Sequence, residues 1–252
     1  MALMGPLAVR IQNLGFSYPG QSGICFSHLN LEVEDGARFG LFGPNGAGKT
    51  TLMNCMTGLL QFNEGSIALL GQQVSPQNKN IRNLFGFVPQ DYAFYQELSP
   101  AENLEYFAAL SGLNKKESDS RTIELLEVLG LTDVRNKPVE KFSGGMKRRV
   151  NLAIGVIHRP KILFLDEPTV GVDVQTRQAI ISYLKELNKG GTTLVYTSHQ
   201  LNEAEDLCNT IALIDQGKII ARNSLQGLLE EHQQEGLEGL FINLTGKAYR
   251  DA

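Results

Sequence analysis

The sequence predicts an α/β protein with a parallel sheet, an antiparallel β region on its N-terminal side and an inserted helical segment. Three observations carry that prediction. Residues 37–56 read as a short buried strand (Ala37-Arg38-Phe39-Gly40-Leu41-Phe42), a glycine-rich loop (Gly43-Pro44-Asn45-Gly46-Ala47-Gly48-Lys49-Thr50) and an apolar-rich helix opening at Thr51-Leu52-Met53. Ile162-Leu163-Phe164-Leu165 is an unbroken apolar run ending in Asp166-Glu167, as expected of a parallel strand buried on both faces. Between them, residues 98–160 change to helical spacing.

Short strand-like runs come first: Ala8-Val9-Arg10-Ile11-Gln12, Phe16-Ser17-Tyr18 and Leu29-Asn30-Leu31-Glu32-Val33, broken at Pro19-Gly20. They suggest an antiparallel, hairpin-rich edge. Ser66–Leu70 and Phe85–Val88 are further strands. Ser99-Pro100-Ala101-Glu102 is a capping box with proline at the first helical position, and Leu104, Phe107, Ala108 and Leu110 then share an apolar side up to Gly112. A polar break from Asn114 to Ser120 precedes Ile123, Leu126 and Leu129 at helical spacing, closed by Gly130. Phe142-Ser143-Gly144-Gly145-Met146 opens a helix that must stop before Pro160. A helix over residues 174–188 presents Ile180, Ile181, Leu184 and Leu187, and strand Thr193–Tyr196 leads to Ser198-His199. An acidic helix, Asn202 to Leu207, and a hairpin about Gln216-Gly217 follow. Residues 223–252 read as a polar, Gln/Glu-rich extension after a domain spanning 1–222, whose helical insert covers about 92–160.

The chain has 252 residues, 42% hydrophobic and 20% charged, which suits an ordinary soluble globular domain with ample core. A net charge of −4 argues against a nucleic-acid partner. Cys25, Cys55 and Cys208 form no metal-ligand spacing and suit reduced thiols in a cytosol. The start, Met1-Ala2-Leu3-Met4, lacks a basic stretch followed by a long apolar run, so no signal peptide is expected. No apolar run approaches the roughly 18–20 residues that span a bilayer. Work at a membrane would need another polypeptide to do the spanning.

The chemistry centres on residues 43–50, which fit G-x-x-x-x-G-K-[ST] at every fixed position. Glycines let successive backbone N–H groups turn inward into an anion nest, and the following helix N-terminus adds partial positive charge. Lys49 should reach the β- and γ-phosphates, and the Thr50 hydroxyl should ligate Mg²⁺. The loop therefore implies a bound nucleoside triphosphate. Tyr18 suits either stacking on an adenine ring or packing in its sheet. Gln90, taken alone, is a turn residue after a strand, and Lys147-Arg148-Arg149 reads equally well as a solvated helix face.

Five features occur in order: the phosphate loop, Gln90, Ser143-Gly144-Gly145, the strand ending Asp166-Glu167, and His199. Across residues 7–222 the chain resembles the ATP-binding subunit of an ABC transporter. Phe142-Ser143-Gly144-Gly145-Met146 is similar to that family's signature motif, with Met146 in place of the commoner glutamine. Ile162 to Glu167 resembles its Walker B strand, and Val170-Gly171-Val172-Asp173 its D-loop. The resemblance implies a P-loop NTPase (RecA-like) core that binds ATP and Mg²⁺. Residues Gly43, Pro44, Asn45, Gly46, Ala47, Gly48, Lys49, Thr50 and Thr51 would hold the phosphates, with Tyr18 stacking on adenine. Thr50, Gln90 and Asp166 would hold the metal. Glu167 would act as general base, with His199, Gln90 and Lys49 completing the catalytic set. Ser143, Gly144 and Gly145 would face the γ-phosphate of a paired ATP-binding subunit, in a homodimer or with a related chain.

The resemblance also implies a separate membrane-spanning permease and a peripheral location on the cytoplasmic face of the membrane, the isolated chain being soluble. The run Ser143 to Arg149, with Leu237-Glu238-Gly239-Leu240-Phe241 and Leu244-Thr245-Gly246, is similar to the branch that exports drugs, polysaccharides or lipids. An importer subunit is the alternative. A soluble relative acting on ribosomes or DNA fits less well, since there is one set of motifs and no heptad tract. An unrelated P-loop kinase or GTPase would not carry Ser143-Gly144-Gly145 ahead of the Walker B strand.

Overall fold

The computed structural model describes residues 6–20 and 23–246. Its residues group into two units, Met1–Arg82 with Thr193–Ala252, and Asn83–Thr192.

In the first unit, strands β1 (Leu7–Ser17), β2 (Ile24–Glu34), β4 (Glu64–Leu69) and β5 (Gln72–Gln73) form an antiparallel sheet in the order β2-β1-β4-β5. Two of the expected runs merge into β1. The apparent break between them is an irregularity in register between Ile11 and Leu14, where Asn13 takes a left-handed φ of 49°. Strand β3 (Arg38–Phe42) lies between β8 (Thr193–Ser198) and β9 (Thr210–Asp215) and is parallel to both. All six residues of β8 are buried, so no alternating pattern marks it. Strand β9 turns back into β10 (Lys218–Ser224) through Gln216 and Gly217, whose φ values of 47° and 73° suit a primed hairpin turn. Helix α1 (Lys49–Met56) follows β3 and buries Leu52, Met53, Cys55 and Met56.

Helices α6 (Leu201–Leu207), α7 (Leu225–Glu231) and α8 (Leu237–Thr245) complete this unit. The stretch after residue 222 is polar in composition yet built into the fold. Leu237, Leu240 and Phe241 share one face of α8 at i, i+3 and i+4 and are buried, as is Leu228 of α7.

In the second unit, β6 (Phe85–Val88) pairs in parallel with β7 (Ile162–Asp166). Between them in sequence come α2 (Pro100–Leu110), α3 (Lys115–Val128) and α4 (Gly144–Val156), and after β7 comes α5 (Val174–Lys189). The parallel strands, the antiparallel N-terminal sheet and the inserted helices agree with the fold expected. Ser99 and Glu102 close the capping box that opens α2.

Two helical details differ from the sequence reading. The polar stretch from Asn114 is no break, because Asn114 and Glu117 form a second capping box and α3 starts there. Its inward face differs in part: Leu126 and Leu129 are buried as expected, but Ile123 is 56% exposed, and Arg121 points in and donates to the carbonyls of Val156 and Ile157 at the end of α4. Leu110 is likewise exposed at the end of α2.

Helix α4 approaches β6 with almost nothing between them. A Cβ at Gly86 would lie 1.9 Å from the Gly155 carbonyl oxygen, so only glycine permits this contact.

Candidate functional site

The glycine-rich loop joins β3 to α1. Gly48 adopts a φ of 106°, and a Cβ there would sit 2.8 Å from the Phe26 ring. The Lys49 side chain is 5% exposed, and its Nζ donates to the carbonyls of Gly43 at 2.8 Å and Pro44 at 3.2 Å. The Gly217 N–H donates to Ala47 O at 3.0 Å, so the β9–β10 turn braces the loop from outside. Thr50 is exposed and Thr51 buried. The Tyr18 and Thr51 hydroxyls are 2.8 Å apart, and Tyr18 stands edge-on to Phe16 at 4.9 Å between centroids. Burial pushes the nearby Cys25 thiol pKa up, against a hydrogen bond with Thr51 that lowers it.

His199 follows the last residue of β8, and the turn that carries it is tied to a residue the sequence reading overlooked. Glu203, 2% exposed, accepts hydrogen bonds from Tyr196 Oη and Ser198 Oγ, both at 2.7 Å. Ser198 Oγ in turn accepts from Gln200 N–H at 2.9 Å. The available signal was two hydroxyls alternating on one strand with an acid one helical turn later.

In the second unit, Asp166 closes β7 and is 1% exposed. Glu167 is 6% exposed and holds a left-handed φ of 48°. For a long side chain that backbone is uncommon, and such outliers concentrate at functional sites. The Gln90 amide, just beyond β6, donates from Nε2 to Glu167 Oε2 at 3.2 Å. Two residues 77 positions apart are thus brought together.

Ser143 caps α4 by accepting from the Met146 N–H at 3.3 Å. A Cβ at Gly144 would meet nothing closer than 3.7 Å, so the helix entry is open there. A Cβ at Gly145 would come within 3.1 Å of Thr176 Oγ1. Asp173 caps α5, and the Thr176 backbone N–H, then its hydroxyl, hold the Asp173 carboxyl below its ordinary pKa.

Lys147-Arg148-Arg149 is not a solvated face. Arg148 is 6% exposed, donates to the Gln90 carbonyl and lies 5.0 Å over the Tyr92 ring. Arg149 Nη1 donates to Leu129 O at 2.9 Å. Lys147 Nζ donates to Gln96 Oε1 at 3.1 Å. Long-range hydrogen bonds, two of these to backbone carbonyls, tie the basic run to other segments, and nothing in local spacing announces them.

Among the described residues, no cluster of three or more His, Cys, Asp or Glu side chains makes a metal cage. Mg²⁺ needs no such cage: arriving with phosphates it keeps several waters and takes only one or two protein oxygens.

A family model described as ABC transporter matches residues 26–170. The linearmycin resistance ATP-binding protein LnrL of Bacillus subtilis (strain 168) is 42% identical over 77% of this chain and 62% of its own length. The daunorubicin resistance ATP-binding protein DrrA3 of Streptomyces coeruleorubidus is 39% identical over 81% of this chain and 64% of its own. This chain therefore spans under two thirds of either relative. Among solved structures, an ATP-binding subunit of an ABC transporter superposes with a TM-score of 0.86 at 25% identity, covering 94% of this chain and 99% of that one. A dimeric post-hydrolysis ATP-binding cassette bound to ADP and Pi gives 0.79 at 26% identity, covering 86% and 98%.

Proposed function

This chain belongs to the ABC transporter family, and from that premise we propose that it is an ATP-hydrolysing subunit powering export. The observation that carries the proposal is the Gln90–Glu167 hydrogen bond beside the buried Asp166. It gives the acidic strand end an oriented base, which a phosphate-binding module without chemistry would not need.

In this reading the loop from Gly43 to Thr51 holds the ATP phosphates, with Lys49 neutralising developing charge on the γ-phosphoryl group. Tyr18 packs against the adenine. Thr50, Gln90 and Asp166 would hold Mg²⁺, which would supply further charge neutralisation when bound. Glu167 takes a proton from the attacking water while His199 keeps that water and the γ-phosphate aligned. The Ser143 hydroxyl and the amides of Gly144 and Gly145 bind the γ-phosphate held by a second subunit, so closure on ATP and opening after hydrolysis form the working stroke.

Relatives named for linearmycin and daunorubicin resistance support export. No described helix is long and apolar enough to cross a membrane. A separate permease therefore fits the reading, with the chain on the cytoplasmic face of the membrane. Its docking surface is the aromatic stretch 91–97, where Tyr95 is 43% exposed.

The test is a mixed dimer. Lys49→Ala removes the loop half of each site, and Gly144→Asp sets a carboxylate where the γ-phosphate would come. Each homodimer then has two broken sites and should be nearly inactive. In a mixed dimer both lesions fall in one site and the other is whole, so random pairing restores roughly a quarter of wild-type sites. ATPase activity should rise well above either variant alone after subunit exchange. No recovery, together with no crosslink between Ser143 and Lys49 of the other chain, would remove the two-subunit site.

A further inference from the structure

We propose that Arg148 is a positioning residue for the Gln90–Glu167 pair, fixing the path of residues 89–96 and so the aim of the Gln90 amide. The inference rests on the role given above to Glu167.

Gly144, Arg148 and Asn151 stand at i, i+4 and i+7 on α4 and share one face. Each meets the segment after β6. Asn151 Nδ2 donates to Pro89 O at 3.0 Å, Arg148 Nη1 donates to Gln90 O, and Tyr92 Oη donates to Gly144 O at 3.2 Å. The Arg148 guanidinium lies 5.0 Å from the Tyr92 ring centroid, a cation–π contact between the two central members.

The choice of arginine is informative. Its partners among the described residues are a carbonyl and a ring, with no carboxylate, and its Nε is buried without a hydrogen-bond partner. Burying a cation without a counter-ion is costly, so packing alone would favour an aliphatic side chain here. What the guanidinium adds is direction. It holds the peptide of the residue whose amide reaches Glu167 at 3.2 Å. The same helix begins at Ser143, so one rigid element carries the proposed phosphate-facing end and the grip on Gln90. Movement of α4 would displace both together.

The experiment uses the full chain. Arg148→Met should lower kcat for ATP about tenfold to a hundredfold, the scale of a small misplacement of reacting groups, while KM shifts less than about twofold. Combined with Gln90→Ala it should cost nothing further, because Arg148 acts through Gln90. Amide hydrogen exchange should quicken over residues 89–96 and stay unchanged in β7, a readout that needs no nucleotide. If Arg148→Met does not fold, Arg148→Lys carries the same measurements, since it keeps the charge and loses the planar fork.

Additive losses with Gln90→Ala, or exchange over 89–96 equal to wild type, would overturn the proposal. A wild-type chain that fails to hydrolyse ATP would instead remove the functional reading, and the exchange measurement would still decide whether Arg148 holds the segment.

Discussion

The phosphate loop and the Gln90 segment are both irregular stretches after a buried parallel strand, yet they are held in opposite ways. The loop is built from backbone. Its lysine folds onto the carbonyls of Gly43 and Pro44, and the Gly217 backbone N–H donates to the loop from the β9–β10 turn. Residues 89–96 are held largely by side chains, Arg148, Asn151 and Lys147 of α4 and Asn103 of α2 among them. A backbone-built site fails when a glycine gains a Cβ. One built from side chains fails by degrees, one hydrogen bond at a time, and is the easier of the two to move. On the function proposed above, binding would rest on the backbone-built half and chemistry on the one held by side chains.

Glu167→Gln gives the largest separation of the two. Turnover should fall by at least about 10²-fold, the usual scale for a positioned base, while equilibrium binding of ATP is retained. Parallel loss of binding would break the division of labour. Gly43→Ala attacks the other half. The new Cβ would lie 2.1 Å from Ile214 O on β9, so the backbone must shift, and urea titration should show about 3 kcal/mol lost along with ATP binding. Unchanged nucleotide affinity in that variant would mean that the loop tolerates displacement after all.

Smaller effects sharpen the contrast. Tyr92→Phe removes one hydrogen bond to Gly144 O and leaves the cation–π contact, so about 1 kcal/mol of stability should be lost with ATP affinity intact. Least of all should change on treatment with a thiol reagent. Burial, then the charge of Cys25, raises the Cys55 pKa to about 12. The thiol form is therefore the one the fold favours. Its contribution to stability is fully present below the ordinary value of 9.0 and is lost as pH rises from there toward about 12. At pH 8 native Cys55 should remain unlabelled over hours, as judged by mass spectrometry of digested protein. Rapid labelling would show that α1 opens more readily than a backbone-held loop allows.

This contrast also explains what was legible in the sequence. The phosphate loop is contiguous, so its residue types and spacing carried its geometry. The strand ending in Asp166-Glu167 was equally plain, because burial on both faces leaves an unbroken apolar run. Gln90 became meaningful only through the order of motifs, since its contact with Glu167 spans 77 positions. Arg148 was missed for the same reason, its partner Gln90 lying 58 positions away. A buried charge is recognised by its partners, and Glu203 was missed although its partners, Tyr196 and Ser198, are close by in sequence. On α3, Leu126 and Leu129 are buried as expected, but Ile123 is exposed and Arg121 turns inward to serve the end of α4, a demand that apolar periodicity does not register.

The parallel pairing of β3 has a consequence for how the protein is made. Its neighbours β8 and β9 come from residues 193–215, and the brace at Gly217 lies beyond them. A chain leaving the ribosome therefore carries the complete loop sequence long before it carries the strands that hold β3 in place. Fragments ending ahead of residue 193 would keep every residue of that motif and still lack the sheet behind it. For this half of the molecule, competence waits on the synthesis of residues 193–217.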